Sequence, residues 1–153
     1  MKFYISGALQ GSDNLRAARE AYELAGQAVQ SAGAIAYVPH TKTDPVANVT
    51  IDSHSVFNTD LDEIKGSDGL IVFLNEPSLG VGAEIAIALS LGKTLLPLVE
   101  QERDFSRFVD GLIKANGIDT QRYASPEELT ALIQKHVVEQ LVSDNSQHLR
   151  SAI

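Results

Sequence analysis

Apolar runs of strand type alternate with helical patterns about five times along this chain, and this alternation constrains the fold more than any other feature. Lys2–Ser6 reads as a strand, and Gly7-Ala8-Leu9-Gln10-Gly11 as a glycine-bounded turn. Ser12 or Asp13 can cap a helix in which Leu15, Ala18, Tyr22, Ala25 and Val29 recur at three-four spacing on one face. Ala34–Val38 is the second strand, and Pro39 to about Ser53 a long polar connection, a length at which loops are often functional. Ser55–Lys65 reads as a helix with Val56, Leu61 and Ile64 inward. Leu70-Ile71-Val72-Phe73-Leu74 is continuously apolar, the pattern of a strand buried on both faces. Asn75–Gly82 then reads as a loop, Ala83–Leu91 as an apolar helix and Thr94–Val99 as a strand. A helical pattern over Asp104–Ala115 leads to a short strand near Ile118–Tyr123. Ser125, Pro126 and Glu128 form a capping-box start for a last helix that buries Leu129, Leu132, Ile133, His136, Val137 and Leu141.

Strands that alternate with helices pair in parallel, because each crossover returns the chain to the same edge of the sheet. The expected fold is therefore α/β: a doubly wound, flavodoxin-like or Rossmann-like parallel sheet of five strands with helices on both faces. The 153 residues suit one domain, read as residues 1–142, with a loose polar tail over 143–153. Cysteine is absent, which excludes a disulfide scaffold, a cysteine nucleophile and a thiolate metal site. A formal charge of −8 argues against a nucleic-acid-coating surface. It leaves room for a small anion held locally by backbone amides. Met1–Ser6 is too short for a signal peptide, and Pro77–Gly92 too short to span a bilayer, so a cytoplasmic protein without membrane contact is expected.

Doubly wound sheets bind ligands beyond the carboxyl ends of their strands. Two loops belong to that edge, Gly7–Gly11 and Asn75–Gly82. In the second, Gly80 and Gly82 let backbone approach a ligand closely, and Ser78 adds a hydroxyl. Glu84 is the only charged residue between Pro77 and Gly92, so on an apolar helix it must face a cleft or a partner, or else complement the helix dipole. Neither a Walker loop nor a GxGxxG fingerprint is present. Asp60 lies four residues before Ile64 and shares its helix face. Tyr4 stands on the apolar first strand. His40, at the end of the second strand, is a candidate for the same cleft, whereas His136 sits in a helix seam. The four histidines show no metal-ligand spacing, so neither metal nor cofactor is expected.

Taken in order, Phe3-Tyr4-Ile5-Ser6-Gly7-Ala8-Leu9, Asn58-Thr59-Asp60-Leu61 with Ser67-Asp68, and Glu76-Pro77-Ser78-Leu79-Gly80-Val81-Gly82-Ala83-Glu84 resemble one superfamily. It comprises the nucleoside 2-deoxyribosyltransferases and the 2′-deoxynucleoside 5′-phosphate N-hydrolases. The resemblance covers roughly Met1 to Val99. It implies that Glu84 is the nucleophile, ionised at neutral pH with help from the helix start, that Asp60 is the second acid, and that Tyr4 orients Glu84. It further implies that Gly7, Ser78 and Gly80 approach the 5′ end of the substrate; with the residues of the two loops and the second strand end they make Gly7, Ala8, Leu9, Gln10, His40, Ser78, Gly80 and Gly82 the substrate-binding candidates. Ala8 and Gln10 stand where the N-hydrolases carry serine and arginine, which leaves the 5′ group open. A homodimer or higher homo-oligomer with shared sites is implied, with Asp110 of the Phe105–Leu112 stretch as the neighbour's contribution. The implied activity is cleavage or exchange of the N-glycosidic bond of a (deoxy)nucleoside or its 5′-monophosphate, through a glycosyl-Glu84 intermediate. The alternative is an inactive nucleotide-binding or sensing module on the same fold.

Overall fold

A computed structural model of the chain describes residues 1–9, 12, 14–43 and 50–151. In chain order the elements are β1 (Lys2–Ser6), α1 (Leu15–Ser31), β2 (Ile35–Tyr37), α2 (His40–Thr43), α3 (Ser53–Lys65), β3 (Gly69–Phe73), α4 (Leu79–Ser90), β4 (Thr94–Glu100), α5 (Arg107–Ala115), β5 (Gln121–Tyr123) and α6 (Pro126–Ser151). All strand pairs are parallel, in the order β2-β1-β3-β4-β5. The expected doubly wound five-stranded α/β sheet is the fold.

Side chains alternate across the strands, so each strand feeds two cores. Phe3 and Ile5 of β1, with Ile71 and Phe73 of β3, pack against Tyr22, Ala25 and Val29 of α1 and Leu129, Ile133 and Val137 of α6. Tyr4, Leu70 and Val72 face the other way, toward Ile64 of α3, Val81, Ile85 and Ala88 of α4, and Ile113 of α5. Every residue of β3 is buried, as its unbroken apolar run requires. Because α1 leaves β1 on one face and α4 leaves β3 on the other, the loops after these adjacent strands diverge and open a crevice.

Several boundaries differ from the sequence reading, each for a local reason. Asn14, rather than Ser12 or Asp13, caps α1: its side chain accepts from the Ala17 N–H at 3.1 Å. Asp52 caps α3 by accepting from the His54 and Ser55 N–H groups, both at 3.0 Å, which brings that helix start forward to Ser53. A short helical turn, α2, occupies part of the connection read as loop. Ser106 caps α5, so Asp104 lies outside it. The capping box at α6 is present in a displaced form: the Glu128 N–H donates to Ser125 Oγ (3.2 Å), while the Glu128 carboxylate takes the Ala124 N–H (2.7 Å). Residues read as a tail from 143 onward continue this helix to Ser151. No helix among the described residues is long and apolar enough to cross a membrane.

Candidate active site

The site begins with the cap of α4. Ser78 is extended, and its Oγ accepts from the Val81 N–H at 3.3 Å. The helix thus opens at Leu79, ahead of the expected Ala83, and Gly80 and Gly82 are helical. A β-carbon on Gly82 would meet nothing within 4 Å, so neither core packing nor backbone conformation demands glycine there. The earlier start moves Glu84 into the second turn, where the terminal dipole acts weakly.

From there the Glu84 side chain reaches β1. The Tyr4 hydroxyl donates to Oε1 at 3.0 Å, and the Ser6 hydroxyl to Oε2 at 2.5 Å. Tyr4 and Ser6 are two residues apart on a strand, so they share a face, and both are buried. Glu84 itself is intermediate in exposure, unlike the fully buried Tyr4 and Ser6 that hold it. Burial nevertheless outweighs the two hydrogen bonds, and together with the charge of Asp60 it pushes Glu84 up to about 7. The expectation that the helix start helps keep Glu84 ionised is corrected by the Ser78 cap, which leaves Glu84 beyond the first turn. Burial and the charges of Glu84 and Asp60 hold Tyr4 far above the ordinary phenol range, so it remains a donor.

Asp60 of α3 is half-buried, and its charge reaches Glu84, Tyr4 and Tyr37. Tyr37 of β2 sits beside Tyr4 in register, the two rings stacked with centroids 5.5 Å apart at 23°. The sequence reading missed Ser6 and Tyr37. The two-residue strand period offered Ser6 once Tyr4 was chosen, but Tyr37 required the register of β1 on β2.

The other candidates spread around this centre. Gly7 and Ala8 lie against α1. A β-carbon on Gly7 would come within 2.3 Å of Tyr22 Cζ, and the Tyr22 hydroxyl donates to the Ala8 carbonyl at 3.0 Å, so the turn needs glycine beside that fixed ring. Leu9 packs on the α1-side core. Gln10 lies outside the described residues. His40 is drawn to α1: its Nε2 is 3.0 Å from Glu23 Oε1, and its ring tilts against Tyr22. His136 packs edge-on against Phe3. Asp110 of α5 pairs with Lys114 at 2.7 Å. A cavity of about 650 Å³ lies between α4 and α5, lined by Leu74, Val81, Ile85, Phe105, Val109 and Leu112 among others. Its lining includes neither Glu84 nor Tyr4 nor Asp60, so the carboxylate cluster and this apolar cavity are separate. Among the described residues no group of three or more His, Asp or Glu is placed to hold a metal.

Residues 3–148 match the family described as nucleoside 2-deoxyribosyltransferase. The chain belongs to that family. A search of curated proteins gave no match. Among solved structures, the CMP N-glycosidase BcmB of Clostridium botulinum superposes with a TM-score of 0.67 at 17% identity, over 89% of this chain and 99% of that one. A conserved protein from Enterococcus faecalis gives 0.64 at 22%, over 89% and 98%. A 2-deoxyribosyltransferase from Bacillus psychrosaccharolyticus gives 0.62 at 14%, over 85% and 90%. At these identities the likeness is one of fold. It supports this nucleoside 2-deoxyribosyltransferase family member as a doubly wound α/β protein and leaves its substrate to the site.

Proposed function

We propose that this chain breaks or exchanges the N-glycosidic bond of a (deoxy)nucleoside or its 5′-monophosphate through a glycosyl ester on Glu84. One observation carries this reading. A carboxylate that is not fully buried has both oxygens held by hydroxyl donors, Tyr4 and Ser6, with a second acid, Asp60, close enough for its charge to act on it. In the first step a Glu84 oxygen attacks C1′ and the C1′–N bond breaks. Its electron pair leaves with the base, which takes a proton from the Asp60 carboxyl. In the second step water attacks C1′ and gives a proton back to the Asp60 carboxylate, while the ester C1′–O bond breaks and Glu84 leaves as the carboxylate. A second base in place of water gives transfer instead. This is retaining logic, two displacements at one carbon. Tyr4 and Ser6 aim the nucleophile and lower its desolvation cost, so the ionised fraction is useful near neutrality.

Neither the 7–14 nor the 75–82 segment contains lysine or arginine, so these loops offer a 5′-phosphate amides and hydroxyls, with Arg103, which donates to the Asn75 carbonyl at 3.2 Å, as the cation beside them. The test is incubation with separate nucleosides and monophosphates, with and without a second base, followed by chromatography for released base and intact-mass measurement after rapid quenching. Base release with a one-glycosyl mass increase is expected. No release from any substrate, alongside retained nucleotide binding, would overturn the reading in favour of an inactive sensing module.

We also propose a homo-oligomer in which α5 meets a neighbouring copy. Leu79 and Phe108, 96% and 82% exposed, stand beside the α4–α5 cavity, an unusual placement for large apolar side chains on a monomer surface. Sedimentation should return a multiple of 16.5 kDa, and a monomer mass at micromolar concentration would reject the proposal.

A further inference from the structure

One group beside the carboxylate cluster has no role in the mechanism above. The Tyr37 hydroxyl is buried and, among the described residues, has no hydrogen-bond partner. A buried phenol oxygen without a partner is costly to fold, and such exceptions concentrate where a ligand completes the bonding. Its ring is fixed on the sheet: Tyr4 stacks on it, and Lys2 Nζ lies 5.6 Å from its centroid while also pairing with Glu63. The ring is therefore already engaged, and the hydroxyl is the part left for a new contact.

The position of that hydroxyl decides what it can touch. Tyr37 is on β2, on the far side of β1 from β3 and the helix α4 that follows it. The Lys2 ammonium over its ring also pairs with Glu63 of α3, the helix that carries Asp60. Tyr37 thus stands on the α3 side of the cluster, across Tyr4 from Glu84. Displacement at C1′ sends the leaving group out opposite the attacking oxygen, which is this side. Every nucleobase carries an acceptor next to its glycosidic nitrogen, O2 in pyrimidines and N3 in purines. Negative charge grows on that acceptor as the C1′–N bond breaks, so a donor placed there is stronger in the transition state than in the ground state.

We infer that the Tyr37 hydroxyl donates a hydrogen bond to the departing base, at the acceptor beside the glycosidic nitrogen. The inference rests on the glycosyl-transfer reading above. Burial and the neighbouring carboxylates push the Tyr37 phenol up to about 12, so it keeps its proton throughout the neutral range. The contact needs no charge on the base and accepts purines and pyrimidines alike. Its contribution grows as the base becomes a poorer leaving group.

The experiment is Tyr37→Phe, assayed for kcat and KM on substrates that share one sugar and carry bases of different leaving ability, with Tm measured alongside. The substitution removes one oxygen and keeps the ring stack. The expected result is a fall in kcat of about 10- to 100-fold, steepest for the poorest leaving base, with KM little changed. Tm should hold or rise, because an unsatisfied buried hydroxyl has been deleted. A change under twofold for every base overturns the inference. So does a loss equal for all bases, or one accompanied by a lowered Tm, since either describes a packing role. If the wild-type protein releases no base, the functional reading has failed, and the contact is then read from calorimetric titration with the free bases. Weakening of about tenfold in Tyr37→Phe supports it, and equal affinity overturns it.

Discussion

Glu84→Gln should lower base release by at least about 1,000-fold while leaving substrate affinity within a few-fold of wild type. The side chain keeps its shape, so the loss isolates chemistry from packing. An amide oxygen is a poor nucleophile and cannot form a stable glycosyl ester. The pocket tolerates the change: the amide oxygen can accept from one of Tyr4 and Ser6, and the amide nitrogen can donate to the other hydroxyl, which turns to accept. The measurement is base release at saturating substrate together with intact mass after quenching, which should show no adduct. Turnover above one-tenth of wild type would place the nucleophile elsewhere. Loss of both turnover and folding would be uninformative, which is why Gln is preferred to Ala at a carboxylate with two hydrogen-bond donors.

How far the sequence disclosed this site follows from how each residue reports itself. Glu84 was visible because a lone acid on an Ala/Ile/Leu helix has few places to go. Tyr4 was visible because a phenol interrupts an apolar strand, and Asp60 through its spacing to Ile64, which is buried on α3. These are local patterns, and the five-fold alternation of strands and helices gave the sheet in the same way. Tyr37 was hidden because its place beside Tyr4 depends on how β2 registers on β1, a contact between strands separated by the whole of α1. Ser6 was hidden for another reason: serine at the end of a strand usually serves a turn, and nothing local says that its hydroxyl turns to a helix 78 residues away. The help expected from the helix dipole at Glu84 was misread because the start of α4 was set at Ala83. The Ser78 cap begins the helix at Leu79, so the dipole contribution drops and burial governs. His40 was drawn to the cleft by its position after β2, whereas its partner on α1 could not be read from its neighbours in sequence.

Because burial moves Glu84 from its ordinary value near 4.5 to about 7, activity and stability should respond to pH in opposite directions. The nucleophile must be ionised, so kcat/KM should climb as pH rises through about 7 and flatten above it. Stability has the reverse sign. Between 4.5 and about 7 the folded protein holds a proton on Glu84 that the unfolded chain releases. The unfolded state therefore binds fewer protons, and the free energy of unfolding falls with increasing pH. The contribution is fully present below 4.5 and lost above about 7, and in total it is on the order of 3 kcal/mol. Urea denaturation from pH 4.5 to 8.5 should show this decline in the wild type, and Glu84→Gln should flatten it, leaving the variant the more stable protein at pH 8. Parallel pH slopes for the two proteins would mean that the Tyr4 and Ser6 hydrogen bonds outweigh burial and keep the carboxylate near its ordinary value. The same comparison ties the two effects to one group: the pH at which activity reaches half its plateau should coincide with the pH at which the stability slope ends. Agreement would mean that the enclosure which makes this carboxylate costly to ionise also keeps it at the edge of ionisation where a nucleophile for C1′ operates.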